Sequence, residues 1–429
     1  MDTPVAPGPV PPEAVLDHIV DDTDLVVPLA NGEPITVLDA VEDAADSLNG
    51  VRVHQMHALV DRPYFDGRHG DRLRHISYFL SHITRPHFHH DGLDLVPAHF
   101  SEMPQLLEHG VRHPLIIAAA SMPDRHGFFS MGTNADYVAR FIGRWPVFLE
   151  ANAQMPRTFG ENMVHVSQVV GWTEVDRPLI EVEPLVPDEL DRAIAELIAE
   201  RVPDRATLQA GIGSIPNAVL EALRGHRDLG VHTELVSDGI VDLVEHGAIT
   251  GVYKNRRPNQ MVTTFALGTR RLYDFLDENP GVEFLPVDFV NDPRVIASEH
   301  RFVSINATTE VDLLGQVASE TIGGRYWSGS GGQADFAKGA MLSPDGQGFI
   351  VLRSTTSDHA TSRIVSRLTR GSVVTTLKNT VDKVVTEWGV AELRGRTLHQ
   401  RARVLIDIAH PDFRDQLERE AHNLGFLRH

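Results

Sequence analysis

The chain contains no cysteine. Disulfides, thiolate metal sites and every mechanism with a cysteine nucleophile are thereby excluded. Cations are also short: Lys plus Arg number 39 against 59 Asp plus Glu, a net charge of −20. Nucleic-acid backbones are held by clustered cations, so this balance argues against such a partner. An anionic ligand would need a local basic patch or backbone N–H groups. No apolar run is long enough to span a bilayer. The opening stretch MDTPVAPGPVPPEAV has neither the charged nor the apolar region of a signal peptide, and its prolines suggest a flexible lead-in. These absences lead us to expect a soluble, cytoplasmic protein with no membrane or nucleic-acid partner. Three motifs are missing as well. No GxSxG elbow, no GxxxxGK loop ending in Ser or Thr, and no HExxH pattern occurs. Serine hydrolases of the elbow type, P-loop enzymes and zinc proteases of that type are disfavoured.

What is present is ordinary globular material. Of 429 residues, 42% are hydrophobic and 23% charged, enough for two large domains. Strand-like runs alternate with helical patterns: DLVVPLA, VRVHQMHAL, HPLIIAAAS, WPVFLEAN, ATLQAGIG, VTTFALG, RFVSINA, QGFIVLRST and GSVVTTL. Several are continuously apolar, as expected of strands covered on both faces. PDELDRAIAELIAERV reads as a helix, with an acidic first turn and Leu190, Ile194, Leu197 and Ile198 at helical spacing. The alternation predicts an α/β fold with largely parallel sheets. Pro184 and Pro187 in EVEPLVPDEL suggest a boundary, hence domains 1–185 and 186–429.

Four stretches carry possible chemistry. In LQAGIGSIPNAVLEAL a strand enters Gly211-Ile212-Gly213 and a helix follows, offering free N–H groups to an anion. A tight turn needing positive φ accounts for the same glycines. Pro216 occupies the place of a third Rossmann glycine, so a dinucleotide fingerprint fails. In GVHTELVSDG, Val231, Thr233 and Leu235 alternate like a strand, Ser237 or Asp238 caps the next helix, and His246-Gly247 ends it. Glu234 then lies near the carboxyl end of a strand, where open α/β sheets bind ligands. Spacing alone favours an exposed loop carboxylate over a site residue. GGRYWSGSGGQADFAKGA holds a glycine-rich segment, and Gly331-Gly332 allows close ligand approach. A flexible surface loop is the alternative, weakened by Tyr326 and Trp327. HITRPHFHHDGLD carries His82, His87, His89 and His90, but no regular spacing puts three on one face. We read them as structural or surface residues rather than metal ligands.

Taken in order, GIGSIPNAVL, GVHTELVSDGIVDL, NDPRVIASE, VSINATTEVDLLGQV, SGSGGQADFAKGA, TSRIVSRL, VVTEWGVAELRGRT and LIDIAHPDFRDQL resemble the acetyl-CoA hydrolase/transferase family. HGFFSMGTNAD and EANAQMPRTFGENMVH extend the resemblance into the first half. The resemblance implies two open α/β domains of the CoA-transferase type with the active site between them. It implies a ping-pong transfer of CoA between an acyl-CoA and a short-chain carboxylate, with Glu234 as nucleophile, coenzyme A as substrate and covalent partner, and no metal. Gly211, Ile212, Gly213, Ser214 and Ile215, with Gly329, Gly331 and Gly332, are implied as CoA contacts and oxyanion donors. Asn306 becomes a candidate to orient Glu234, or a buried amide that only satisfies backbone groups. Lys254, Arg256 and Arg257 could meet the CoA phosphates, or form a solvated charge cluster. An acetyl-CoA hydrolase and a non-catalytic CoA-binding protein remain the alternative readings. The acceptor pocket is expected around Asn31 to Pro34 and HGFFSMGTNAD. A homodimer is the default oligomer.

Overall fold

The computed structural model describes residues 8–428. The first seven residues of the proline-rich opening lie outside that range. From Val10 onward the segment is anchored, contrary to a flexible lead-in. Val10 donates its N–H to the Trp172 carbonyl, and Pro12–His18 form a 3-10 helix over the buried Val15.

The chain divides into two compact units. One comprises Met1–Val182 and Val262–Val290, the other Glu183–Met261 and Asn291–His429. The expected boundary falls near the first crossing, but the chain returns to the first unit before leaving it again. That return has a cause in pairing. Val282–Phe284 runs parallel to Phe159–Gly160, and Ala135 and Asp136 donate N–H groups to the Thr264 carbonyl.

The first unit is built on a seven-stranded sheet. Its order is Gly171–Val175, Val147–Asn152, His113–Ser121, Thr23–Val26, Val51–Gln55, Leu73–Ser77 and Asp94–Leu95, every neighbouring pair parallel. Leu115 to Ala120 are all buried, which is why this strand reads as one apolar run rather than an alternation.

The second unit holds a six-stranded sheet in the order Gly230–Val231, Thr207–Ala210, Phe302–Ala307, Gln347–Val351, Lys383–Thr386 and Gly389–Glu392. Only the last pair is antiparallel. Thr207–Ala210 has its successor in sequence on one side and Phe302–Ala307 on the other. The order therefore reverses there, and the crevice at the carboxyl ends of these strands is the ligand edge of such a sheet. The helix Glu189–Ala199 starts at Asp188, whose side chain accepts the N–H groups of Leu190 and Asp191 in a capping box. It buries Ile194, Ala195 and Ile198, whereas Leu190 is exposed. Asp191, on the buried face, is held by Arg353 at 2.8 Å.

One expectation about strands changes. GSVVTTL is an extended strap, not a strand: its backbone pairs with Val317 at Thr375 and Thr376 but joins no sheet ladder. Lys383–Thr386, at the start of KVVTEWG, takes its place in the sheet beside Gln347–Val351.

Candidate active site

Glu234 lies in a bend between the short strands Gly230–Val231 and Leu235–Val236. The expected continuous alternation is broken there. Thr233 turns its hydroxyl onto the Leu235 carbonyl at 3.1 Å and fixes the bend. The helix Asp238–Glu245 follows, with Ser237 at the cap position and Asp238 as its first residue, so Asp238 is not the cap. Gly247, at φ +73°, closes that helix as expected.

The Glu234 carboxylate has a defined environment within the second unit. Asn291 Nδ2 donates to Glu234 Oε2 at 2.8 Å. Asn291 is fully buried and sits just before the helix Pro293–Ile296, which Asp292 caps through the Arg294 N–H. Gly332 closes the other side. A Cβ at that position would collide with both Glu234 Oε2 and Asn291 Nδ2, so any other residue would push the pair apart. Gly332 is also the cap residue of the helix Gln333–Leu342, whose positive end therefore faces the carboxylate. Burial pushes the Glu234 carboxyl up to about 7; the Asn291 hydrogen bond opposes the rise and the nearby Asp335 adds to it. A carboxylate balanced near neutrality, held by the Asn291 amide and backed by the Gly332 backbone, is suited to nucleophilic attack.

The structure sorts the other residues singled out in the sequence. Gly332 lies directly against Glu234, and Gly329 and Gly331 precede it in the same segment. Gly211 to Ile215 form the turn from Thr207–Ala210 into the helix Ser214–Ala222, with Gly213 at φ +138°, a conformation that favours glycine. The Gly211 N–H donates to the Ile305 carbonyl at 2.9 Å and is no free oxyanion donor. Ser214 and Ile215 begin the helix, where N–H groups have no partner within the helix; Pro216 has none to offer, and Ile212 is exposed.

Asn306 does not orient Glu234. Its amide forms a reciprocal pair with Gln209, at 3.0 and 3.1 Å, on adjacent strands. A buried primary amide is best satisfied by another amide facing it, and this one is. Asn291 holds Glu234 instead. Its only sequence signal is the Asp-Pro helix start that follows it in NDPRVIASE. Lys254 is buried, and its ammonium donates to the carbonyls of Val231 and Gln260, both at 2.8 Å. It is thus an anchor for the strand leading to Glu234 rather than a phosphate ligand. Arg256 and Arg257 are exposed, Arg256 bonding the Ser298 hydroxyl at 3.1 Å.

In the first unit, the two segments expected near an acceptor pocket do meet. Asn134 Nδ2 donates to the Leu29 carbonyl at 2.9 Å, and Asp136 Oδ2 accepts the Leu29 N–H at 3.2 Å. Asn31 spends its amide on the Ile180 carbonyl and N–H and on the Tyr273 hydroxyl. His87 bonds Asp61 at 3.1 Å and His90 the Pro86 carbonyl at 2.8 Å, while His82 is exposed and His89 partly so. Among the described residues, no group of three or more His, Asp or Glu is placed to hold a metal ion, and no helix is long and apolar enough to cross a membrane.

Comparison with known proteins agrees with this architecture. Residues 10–187 match the model of the acetyl-CoA hydrolase/transferase N-terminal domain and residues 268–421 that of the C-terminal domain. The chain is 43% identical to a succinyl-CoA:cyclohexane-1-carboxylate CoA transferase of Geobacter metallireducens, over 94% of this chain and 92% of that protein. It is 40% identical to a 4-hydroxybutyrate coenzyme A transferase of Clostridium kluyveri, over 95% and 96%. Among solved structures, RipA from Yersinia pestis superposes with a TM-score of 0.92 at 33% identity, covering 97% of this chain and 98% of that one. With both terminal domain models matched and near full-length relatives at 40% and 43% identity, the chain belongs to the acetyl-CoA hydrolase/transferase family.

Proposed function

We propose that this protein is a CoA-transferase that moves CoA from an acyl-CoA to a short-chain carboxylate through a thioester on Glu234. The observation that carries this reading is the carboxylate of Glu234, held by Asn291 at 2.8 Å and backed by Gly332 with no room for a side chain. In the first step an ionised Glu234 oxygen adds to the thioester carbonyl. The C–S bond breaks, leaving an acyl-glutamyl anhydride and CoA thiolate. The thiolate then adds to the Glu234 carbonyl and expels the first acid, giving a glutamyl-CoA thioester. An acceptor carboxylate runs the two steps in reverse. Each addition puts charge on an oxygen, and Asn291 Nδ2 and the N–H groups at the start of the helices Ser214–Ala222 and Gln333–Leu342 are the donors at hand.

An ordinary glutamate would be fully ionised at neutral pH. With its carboxyl raised to about 7, Glu234 is not, so the acylation rate should climb as pH rises through that value and level off above it. Acceptor choice falls to the first unit, where the Leu29–Pro34 segment and Asn134 are locked together. A cytoplasmic setting and a homodimeric state belong to the same reading.

The test is an exchange assay. Acetyl-CoA is incubated with propionate, butyrate, succinate, 4-hydroxybutyrate or cyclohexane-1-carboxylate, and new acyl-CoA is separated from free CoA. New acyl-CoA with at least one acceptor is expected. CoA release that ignores every acceptor would make the protein a hydrolase. Glu234→Ala should lower exchange at least about 10³-fold, and borohydride added during turnover should modify the peptide carrying Glu234.

A further inference from the structure

The glycine segment facing Glu234 has few side chains with which to hold itself in place. Its anchor is Glu320, which is only 5% exposed. The Glu320 backbone carbonyl accepts the N–H groups of Trp327 at 2.8 Å and Ser328 at 3.3 Å. Its carboxylate accepts the Ser330 hydroxyl, at 3.3 Å to Oε1 and 3.4 Å to Oε2, and the Thr375 hydroxyl at 3.0 Å. Thr375 is itself fixed: its oxygen accepts the Ser319 N–H at 3.0 Å and its own N–H donates to the Val317 carbonyl at 2.8 Å. One residue further, Thr376 accepts from the Gln333 side chain at 3.2 Å, in the first turn of the helix that Gly332 caps. A continuous tether thus runs from the strap 375–376 through Glu320 and Ser330 to Gly331, Gly332 and the Glu234 carboxylate.

Glu320 is an expensive choice for a merely structural role. A buried carboxylate loses its hydration, and its side-chain partners are two neutral hydroxyls with no cation among the described residues. What the carboxylate adds is a hydrogen bond to Thr375 at 3.0 Å and a longer one to Ser330, both to an acceptor that strengthens such bonds when ionised. The Gly332 backbone that these bonds hold in place sits so close to Glu234 that not even a methyl group fits. A Cβ there would overlap Glu234 Oε2, so the Gly332 backbone and that oxygen are in contact with no gap for a water between them.

We propose that Glu320 is a positioning residue for CoA transfer: by binding Ser330 and Thr375 it keeps the glycine segment closed on Glu234 and shields the acyl-enzyme from water. The inference rests on Glu234 being the nucleophile. The competing reaction is hydrolysis of the thioester. Water adds to the Glu234 carbonyl, the C–S bond breaks, and the Glu234 carboxylate, CoA thiol and a proton result. A loosened segment should admit that water before an acceptor arrives.

The experiment uses the full chain with acetyl-CoA and its best acceptor, measuring transferred acyl-CoA and hydrolysed CoA together. In Glu320→Gln and in Ser330→Ala the ratio of hydrolysis to transfer should rise roughly tenfold, the worth of one charge-assisted hydrogen bond. The double variant should resemble either single one, because both cut the same link. The acid limb of kcat/KM should also move to lower pH in both, as water returns to Glu234 and its carboxyl relaxes towards ordinary values. A lower melting temperature with an unchanged ratio and unchanged acid limb would leave Glu320 a structural residue and overturn the proposal. If Glu320→Gln does not fold, Ser330→Ala decides alone, because it spares the bond to Thr375. Normal exchange by Glu234→Ala would remove the nucleophile reading and this inference with it. Loss of exchange in Glu234→Ala with an unchanged ratio in Ser330→Ala would remove only the inference.

Discussion

Asn291 and Glu234 form a pair in which one hydrogen bond sets both geometry and charge. The amide donates to the carboxylate, so it favours the ionised form; burial favours the neutral one and prevails, holding the carboxyl near 7. Removing the amide leaves burial and Asp335 unopposed. In Asn291→Ala the Glu234 carboxyl should therefore rise further, less of it should be ionised at neutral pH, and the acid limb of the kcat/KM profile should shift to higher pH. The rate at pH 7 should fall by roughly tenfold, the usual worth of a hydrogen bond to a charged group. The pH–rate profile checks the sign: an acid limb that moves down would mean that Asn291 does not favour the ionised carboxylate. Glu234 itself was visible in GVHTELVSDG as a carboxylate near a strand end. Asn291 was not, because it lies 57 residues away and only folding brings the two together.

Elements decide where these residues stand. The strand Gly230–Val231 pairs with Thr207–Ala210 over two residues only, so it needs more than its ladder to be held. Lys254 supplies this by donating to the Val231 carbonyl, three residues before Glu234, and to the Gln260 carbonyl. Lys254→Met should strip both carbonyls of that donor, at about 1–3 kcal/mol for each group left unsatisfied. The melting temperature should drop by roughly 5 °C, while the KM for acyl-CoA stays within about twofold. A tenfold higher KM with unchanged stability would restore Lys254 as a phosphate ligand. Periodicity made most strands and the capped helix at Glu189 readable, since burial on both faces leaves an apolar run and caps use a small residue set. It misplaced GSVVTTL, whose β-branched residues favour a strand while the tertiary structure gives its backbone an isolated bridge to Val317 and turns Thr375 and Thr376 to side-chain partners.

At the scale of the whole molecule, a net charge of −20 opposes the approach of a polyanionic acyl-CoA. Salt screens that repulsion, with a Debye length falling from about 30 Å at 0.01 M to about 8 Å at 0.15 M. The kcat/KM for acyl-CoA should rise as ionic strength increases over this range; a steep fall would instead reveal a local cationic patch that outweighs the global charge. The sequence by itself determined the α/β class and the absence of thiol chemistry, which follow from periodicity and composition. Glu234 and the glycine-rich segments it offered as candidates, through a family resemblance carried by motifs contiguous in the chain. Only the tertiary structure decided that the chain re-enters its first unit at Val262, that Gln209 rather than Glu234 occupies Asn306, that Lys254 faces carbonyls, and that Asn291 and Gly332 enclose the carboxylate. The physical reason is the same in each case. Partners of buried polar groups are chosen by strand order and helix placement, and neither is written in the residues adjacent to them.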